Sequence, residues 1–436
     1  MIARFLLPLL ALALAACAPL TPQKPAEKRY TATELLALRP ADFSWPASST
    51  DGERALRDGV LADIRARIAL PPGPERDAAL PRLFDLVAQY NLEIDAARPL
   101  LLEALPTLGR RDPDTQRALL TAAHALYAAD AEPALLTLLP ELQTSKPFAI
   151  AAYTLIAARP SHAVAIGGLV PRQFPQWRDD PRLLALMDAI APVRQQPPLS
   201  DLLAAPLRPG YPALYSLQRP GRNDMGLVLV RDADGRFVRD TAGQLFASPQ
   251  LALARTGLPG TITNGNTPQG LFTIVGAGTA TNPNIGPTPY LHSKLPFEAT
   301  PAEFQHGDAA TEWSEAFYDS FLPPSWQGAA SIKEAWLAGR AGRDELLVHG
   351  TTLNPAYFAG SRYFPGTPQQ GCMISSEDWD PASGRLVASR QLTLAQTYAA
   401  AGRRDDLAGY LMVVELPGEG AVTPAEALAL VVAAGR

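Results

Sequence analysis

From about Gly52 to Pro206 apolar positions recur every three to four residues, the period of helices that bury one face. Asp112-Pro113 and Asp180-Pro181 each place a capping carboxylate ahead of a proline at the first helical position. TQRALLTAAHALYAA follows the first, with Leu119, Ala123 and Leu126 on one face, and RLLALMDAIA follows the second. Two segments resemble each other, Arg98-Pro99-Leu100-Leu101 and Glu132-Pro133-Ala134-Leu135, with prolines 34 residues apart, the length of a helical hairpin repeat. The register is not sustained, so the expectation is an irregular solenoid or a bundle, acting as spacer, scaffold or protein-binding surface. His124 is expected in its core and His162, in Pro160-Ser161-His162, on its surface. Near Pro209-Gly210 the period shortens to that of strands. Met225–Val230, Arg236–Val238, Gly270–Val275, Glu345–Val348 and Tyr410–Leu416 read as strands, and Asp232-Ala233-Asp234-Gly235 as a turn. Gly276–Pro289 reads as a long loop and Ser331–Leu337 as a helix. Thr423-Pro424-Ala425-Glu426 opens a last helix with a capping box, which Gly435 closes. The pattern thus predicts an all-α domain over 46–206, a mostly β domain over 211–418 and a helical tail over 419–436. The two halves are expected to fold independently, with the boundary near Leu207–Tyr211.

Composition narrows this picture. A chain of 436 residues exceeds one ordinary domain, and its 43 prolines demand many short elements. A formal charge of -5 without any Lys/Arg block argues against nucleic acid as a partner. Met1–Ala16 has one cation, Arg4, and a short Leu/Ala run, the form of a signal peptide. It ends in Leu14-Ala15-Ala16-Cys17, which resembles a bacterial lipobox. The resemblance implies cleavage before Cys17, lipid on its sulfur and new amino group, and durable attachment to a membrane. Ala18 after the cysteine favours the outer membrane, with the protein facing the periplasm. Residues 17–45, with Pro19, Pro22, Pro25 and Pro40, are then a lipidated tether.

Cys17 and Cys372 are the only cysteines, so lipidation of the first leaves the second without an intramolecular partner. Such a thiol is either reactive or buried and inert. His349-Gly350-Thr351 ends a predicted strand, and Cys372 follows His349 by 23 residues in Pro368-Gln369-Gln370-Gly371-Cys372-Met373. A thiol is mostly protonated at neutral pH and needs a base beside it, which His349 could be, with an imidazolium–thiolate pair lowering the thiol pKa. Gly371 would let a substrate approach closely, and the Cys372 N–H could contribute to an oxyanion hole. The spacing alone also fits chance. There is no HExxH or CxxC pattern, and neither metal nor cofactor is implied.

Thr267-Pro268-Gln269-Gly270-Leu271-Phe272-Thr273-Ile274, Val348-His349-Gly350-Thr351 and Gly371-Cys372-Met373 resemble, in order, the landmarks of the L,D-transpeptidase (YkuD-type) catalytic domain, over residues 212 to 417. That resemblance implies a mostly β catalytic domain with Cys372 as nucleophile, His349 as base and Gly371 in the oxyanion loop. The implied reaction is acyl transfer from the peptide stem of peptidoglycan, at the carbonyl of the L-centre of its third residue. Gly350 and Thr351 would lie on the substrate side. Two departures stand out. Gln369-Gln370 replaces the family's Ser-His, so Gln370 can orient but not shuttle a proton. Ile374 replaces the usual arginine, with Arg362 or Arg385 as possible substitute cations for a substrate carboxylate. Transpeptidation and hydrolysis (carboxypeptidase or endopeptidase) are both open. So are a retired, cell-wall-binding domain and a sortase-like transpeptidase, which keeps a His and a Cys in the same order.

Overall fold

The computed structural model describes residues 28–192, 195–307, 312–361 and 363–436; Cys17, the signal peptide, the first part of the expected tether and Arg362 lie outside the described residues. The described chain opens with a short strand, β1 (Arg29–Tyr30), and a helix, α1 (Ala32–Ala37), and then enters the helical half. This comprises α2 (Thr50–Ile68), α3 (Pro74–Tyr90), α4 (Ile94–Ala104), α5 (Pro113–Leu126), α6 (Ala128–Leu138), α7 (Ser145–Ala158), α8 (His162–Gln173) and α9 (Pro181–Ile190). Helix α3 packs on α5, α5 on α7 and α7 on α9, with α4 on α6, so the helices stack as successive hairpins. Of the two expected architectures this is the irregular solenoid. Pro99 and Pro133 occupy equivalent places inside α4 and α6, while Pro171 lies near the C-terminal end of α8. The first two helices pass into a 3-10 turn that redirects the chain to the next stacked helix. The caps form as expected: Asp112 Oδ1 accepts from the Asp114 and Thr115 N–H groups at 3.1 and 3.0 Å, and Asp180 does the same for α9. His162 is not a free surface residue, because its Nε2 lies 2.7 Å from Glu132 Oε1 and joins α8 to α6.

Beyond α10 (Leu199–Ala204) the chain builds a curled sheet from β2 (Ala213–Gln218), β3 (Gly226–Arg231), β4 (Ala247–Gln250), β5 (Gly270–Gly278) and β6 (Tyr290–Lys294). After the short helices α11 (Pro301–Phe304) and α12 (Glu315–Asp319) and the helix α13 (Glu334–Arg340) come β7 (Leu347–His349) and β8 (Met373–Ile374). A small hairpin, β9 (Glu377–Trp379) and β10 (Leu386–Ser389), leads to α14 (Arg390–Gly402), β11 (Ala408–Glu415) and α15 (Pro424–Ala433). The strand order is β4-β3-β2-β11-β5-β6-β7-β8, antiparallel except at β2/β11 and β7/β8. Leu251, just past β4, and Ile374 of β8 exchange two backbone hydrogen bonds of 2.9 Å, which nearly closes the sheet into a barrel. Apolar clusters cover both faces, one including Leu392, Ala395 and Tyr398 of α14, the other Trp326, Trp336 and Val431. Every residue of β2 and β3 is buried as a result. Thr423 caps α15 as expected, but the Glu426 carboxylate turns away to pair with Arg219.

Two expectations on domain organisation change. Residues 28–45 are not tether: β1 pairs with β5, α1 packs on α14, and Leu35 and Phe43 are buried in the β-domain core. Their apolar side chains outweigh the prolines around them. Nor do the halves stand apart. Leu258 and Ile262 of the β half are fully buried within the helical core, Arg255 pairs with Asp85 and Gln89 of α3 at 3.1 and 2.8 Å, and Lys146 bonds Thr263 at 2.8 Å. Among the described residues no helix is long and apolar enough to cross a membrane.

Candidate active site

Parallel pairing of β7 with β8 sets Val348 beside Met373 and His349 beside Ile374, so Cys372 stands at the entry to β8. Alternation along β7 turns Leu347 and His349 to one side, and both line the same cleft as Cys372. The cleft has a volume of about 680 Å³. Its walls are rich in amide and hydroxyl side chains, among them Gln89, Asn264, Asn282, Asn284 and Gln370. Gln89 belongs to the helical half, which therefore walls the cleft instead of standing off as a spacer.

The thiol does not hydrogen-bond to the imidazole. Cys372 Sγ accepts from the Leu347 N–H at 3.4 Å and donates to the Glu345 carbonyl at 3.6 Å. Although the residue is only half-buried, packing around the sulfur pushes the thiol up to about 11, opposed by the Leu347 N–H and the nearby Arg343 cation. Burial also lowers His349 to about 4. Its Nδ1 lies 2.5 Å from the Gly350 carbonyl, which can only accept. Nδ1 therefore carries the proton, and Nε2 is the basic nitrogen. The resting pair is a neutral thiol and a neutral imidazole, not the expected ion pair: desolvation penalises both charged forms, and without a direct bond neither compensates the other.

The nucleophile turn is braced from beneath. Gly371 has φ +108°, a conformation that favours glycine, and a Cβ there would fall 1.7 Å from Arg343 Nη2. Thr267, first residue of the T-P-Q-G segment, donates its hydroxyl to the Gly371 carbonyl at 2.7 Å. Gln269 continues the brace, donating from its N–H and its side-chain amide to the half-buried Glu334 and accepting from the Glu415 N–H. Gly270, at φ +136°, lies so close to α13 that a Cβ would meet Ala335 Cβ at 2.5 Å.

The other expected residues divide. Gln370 is exposed in the cleft, while its backbone carbonyl accepts from Arg343 at 3.2 Å. Thr351 lines the cleft, but its hydroxyl is engaged by the Leu353 N–H and Thr367. Gly350 does not line it; a Cβ there would strike the buried Glu377 carboxyl at 2.2 Å, so this glycine serves close packing. Arg385 is exposed, bonds the Ala41 carbonyl and is absent from the cleft walls. It stands in the β9–β10 hairpin that holds the N-terminal arm, so it is no substitute cation for the site. The cleft-lining residues that the sequence pattern does not single out include Arg343, Arg255 and His292, whose strand position faces Leu347. None falls in a motif, and only strand register and chain reversal bring them in. Comparison of the chain with family models, characterised proteins and solved structures gave no match.

Proposed function

We propose that the protein is a cysteine acyltransferase acting on the peptide stems of peptidoglycan, held in the cell envelope by lipid on Cys17. The observation that carries the reading is that Cys372 and His349, from adjacent parallel strand ends, open into one polar cleft suited to a peptide. The order of the T-P-Q-G, H-G and G-C segments supports the choice of substrate.

In this reading His349 Nε2 takes the Sγ proton as the sulfur attacks the donor amide carbonyl and the C–S bond forms. N–H groups of the Gly371–Cys372 turn receive the developing oxyanion. The C–N bond then breaks, and the leaving amine takes the proton from His349. An amine acceptor or water attacks the resulting thioester, its proton passes to His349, and the C–S bond breaks to restore the thiol. The neutral resting pair means that proton transfer accompanies attack instead of preceding it. The same neutrality, with Gln370 in place of a histidine, favours a second reading, a wall-binding domain that has lost turnover.

Incubation of the full mature chain, made soluble by Cys17→Ser, with purified muropeptides decides between them by mass spectrometry. New cross-links indicate transpeptidation and shortened stems a peptidase, each lost in Cys372→Ser. Unchanged muropeptides leave the wall-binding reading.

A further inference from the structure

Arg343 is buried, yet no ion pair with a carboxylate holds it among the described residues; its fork is spent on backbone carbonyls. Nη1 donates to Gly260 and Asn266 at 2.5 and 2.8 Å, and Nη2 donates to Gly265 and to Gln370, the latter at 3.2 Å. One guanidinium thus ties the 260–266 loop to the turn that carries the nucleophile, and it packs where a Cβ of residue 371 would stand. A buried cation is costly unless an anion complements it. A thiolate formed on Cys372 would be such an anion, with Asp344 a weaker one.

We propose that Arg343 is a positioning residue for the acyl-transfer reaction, clamping the Gln370–Gly371–Cys372 turn and keeping a cation against it. The consequence for turnover rests on the acyltransferase reading; the effect on the thiol does not. The carbonyl clamp fixes the direction of the turn N–H groups, and the charge offsets Glu298 and Glu345, which both disfavour a thiolate. His349, neutral at rest, supplies no such charge. Lysine could keep the charge but not the planar fork that reaches four carbonyls.

The test uses the full mature chain with Cys17→Ser, in which Cys372 is the sole thiol, and follows thiolate absorbance against pH. Arg343→Met should raise the inflection by about one unit or more, a loss of roughly tenfold in thiolate at a fixed pH below it. Arg343→Lys should keep the inflection close to that of the parent while kcat on muropeptides falls and KM changes little. If the Met variant does not fold, Arg343→Gln, neutral but able to donate to carbonyls, replaces it against Lys. A neutral variant that titrates like its parent, with only its melting temperature lowered, overturns the proposal and leaves Arg343 a structural prop. An inflection raised equally in Lys and in the neutral variant also overturns it. A parent that turns over no muropeptide would refute the functional reading but leave the thiol comparison intact, so the two failures are distinguishable.

Discussion

Cys372 and His349 owe their protonation to burial, and this gives the pair a definite pH behaviour. His349 is the base only when neutral, so the acid limb of kcat/KM should fall near pH 4, as its pKa is lowered to about 4, instead of near the ordinary histidine value. Stability follows the same shift. Because the folded-state pKa lies below the unfolded one, the contribution of the neutral imidazole is complete above about 6.5, the ordinary histidine value, and is lost as pH falls from there toward 4. It amounts to on the order of 3 kcal/mol at about 1.4 kcal/mol per unit. Denaturant melts of the parent and His349→Gln, compared between these pH values, should converge toward the acid end. A parallel pair of curves would refute the shift. The two residues were legible in the sequence because each sits beside a glycine in a short motif. Their resting charge was not, since desolvation depends on neighbours brought from elsewhere in the chain.

Elements explain why the motifs have their spacing. The T-P-Q-G segment lies roughly a hundred residues before the nucleophile, yet Thr267 supports the Gly371 carbonyl directly. Thr267→Val keeps the shape and removes the donor, orphaning a buried carbonyl at a cost of about 1–3 kcal/mol. A lowered melting temperature together with slower muropeptide turnover is expected; full turnover would show that the brace does not position the turn. Helix caps at Asp112 and Asp180 were readable because capping is local chemistry. Strands β2 and β8 and helix α14 were not: β2, ALYSLQ, is covered on both faces and so lacks alternation, and β8 is only two residues long. The 34-residue proline spacing did report a structural equivalence, since Pro99 and Pro133 hold the same place in α4 and α6.

The N-terminal arm and the solenoid both pack into the β domain. Deleting residues 18–43 should lower the melting temperature, because Leu35 and Phe43 each contribute about 1.5–3 kcal/mol on burial. An unchanged melting temperature would return this segment to the role of tether. Cys17→Ser should move the protein from the membrane to the soluble fraction on cell fractionation; continued sedimentation with membranes would point to another anchor. Little more than ten residues separate Cys17 from the first described strand. Local and periodic information in the sequence determined the helical half, the change to strands near Pro209, the caps, and the order of the His349 and Cys372 motifs, because each depends on neighbours a few residues away. Only the tertiary structure decided that Gln89 walls the cleft, that Leu258 and Ile262 fuse the halves, and that Arg343 stands behind Cys372, because packing between distant segments leaves no period or spacing along the chain.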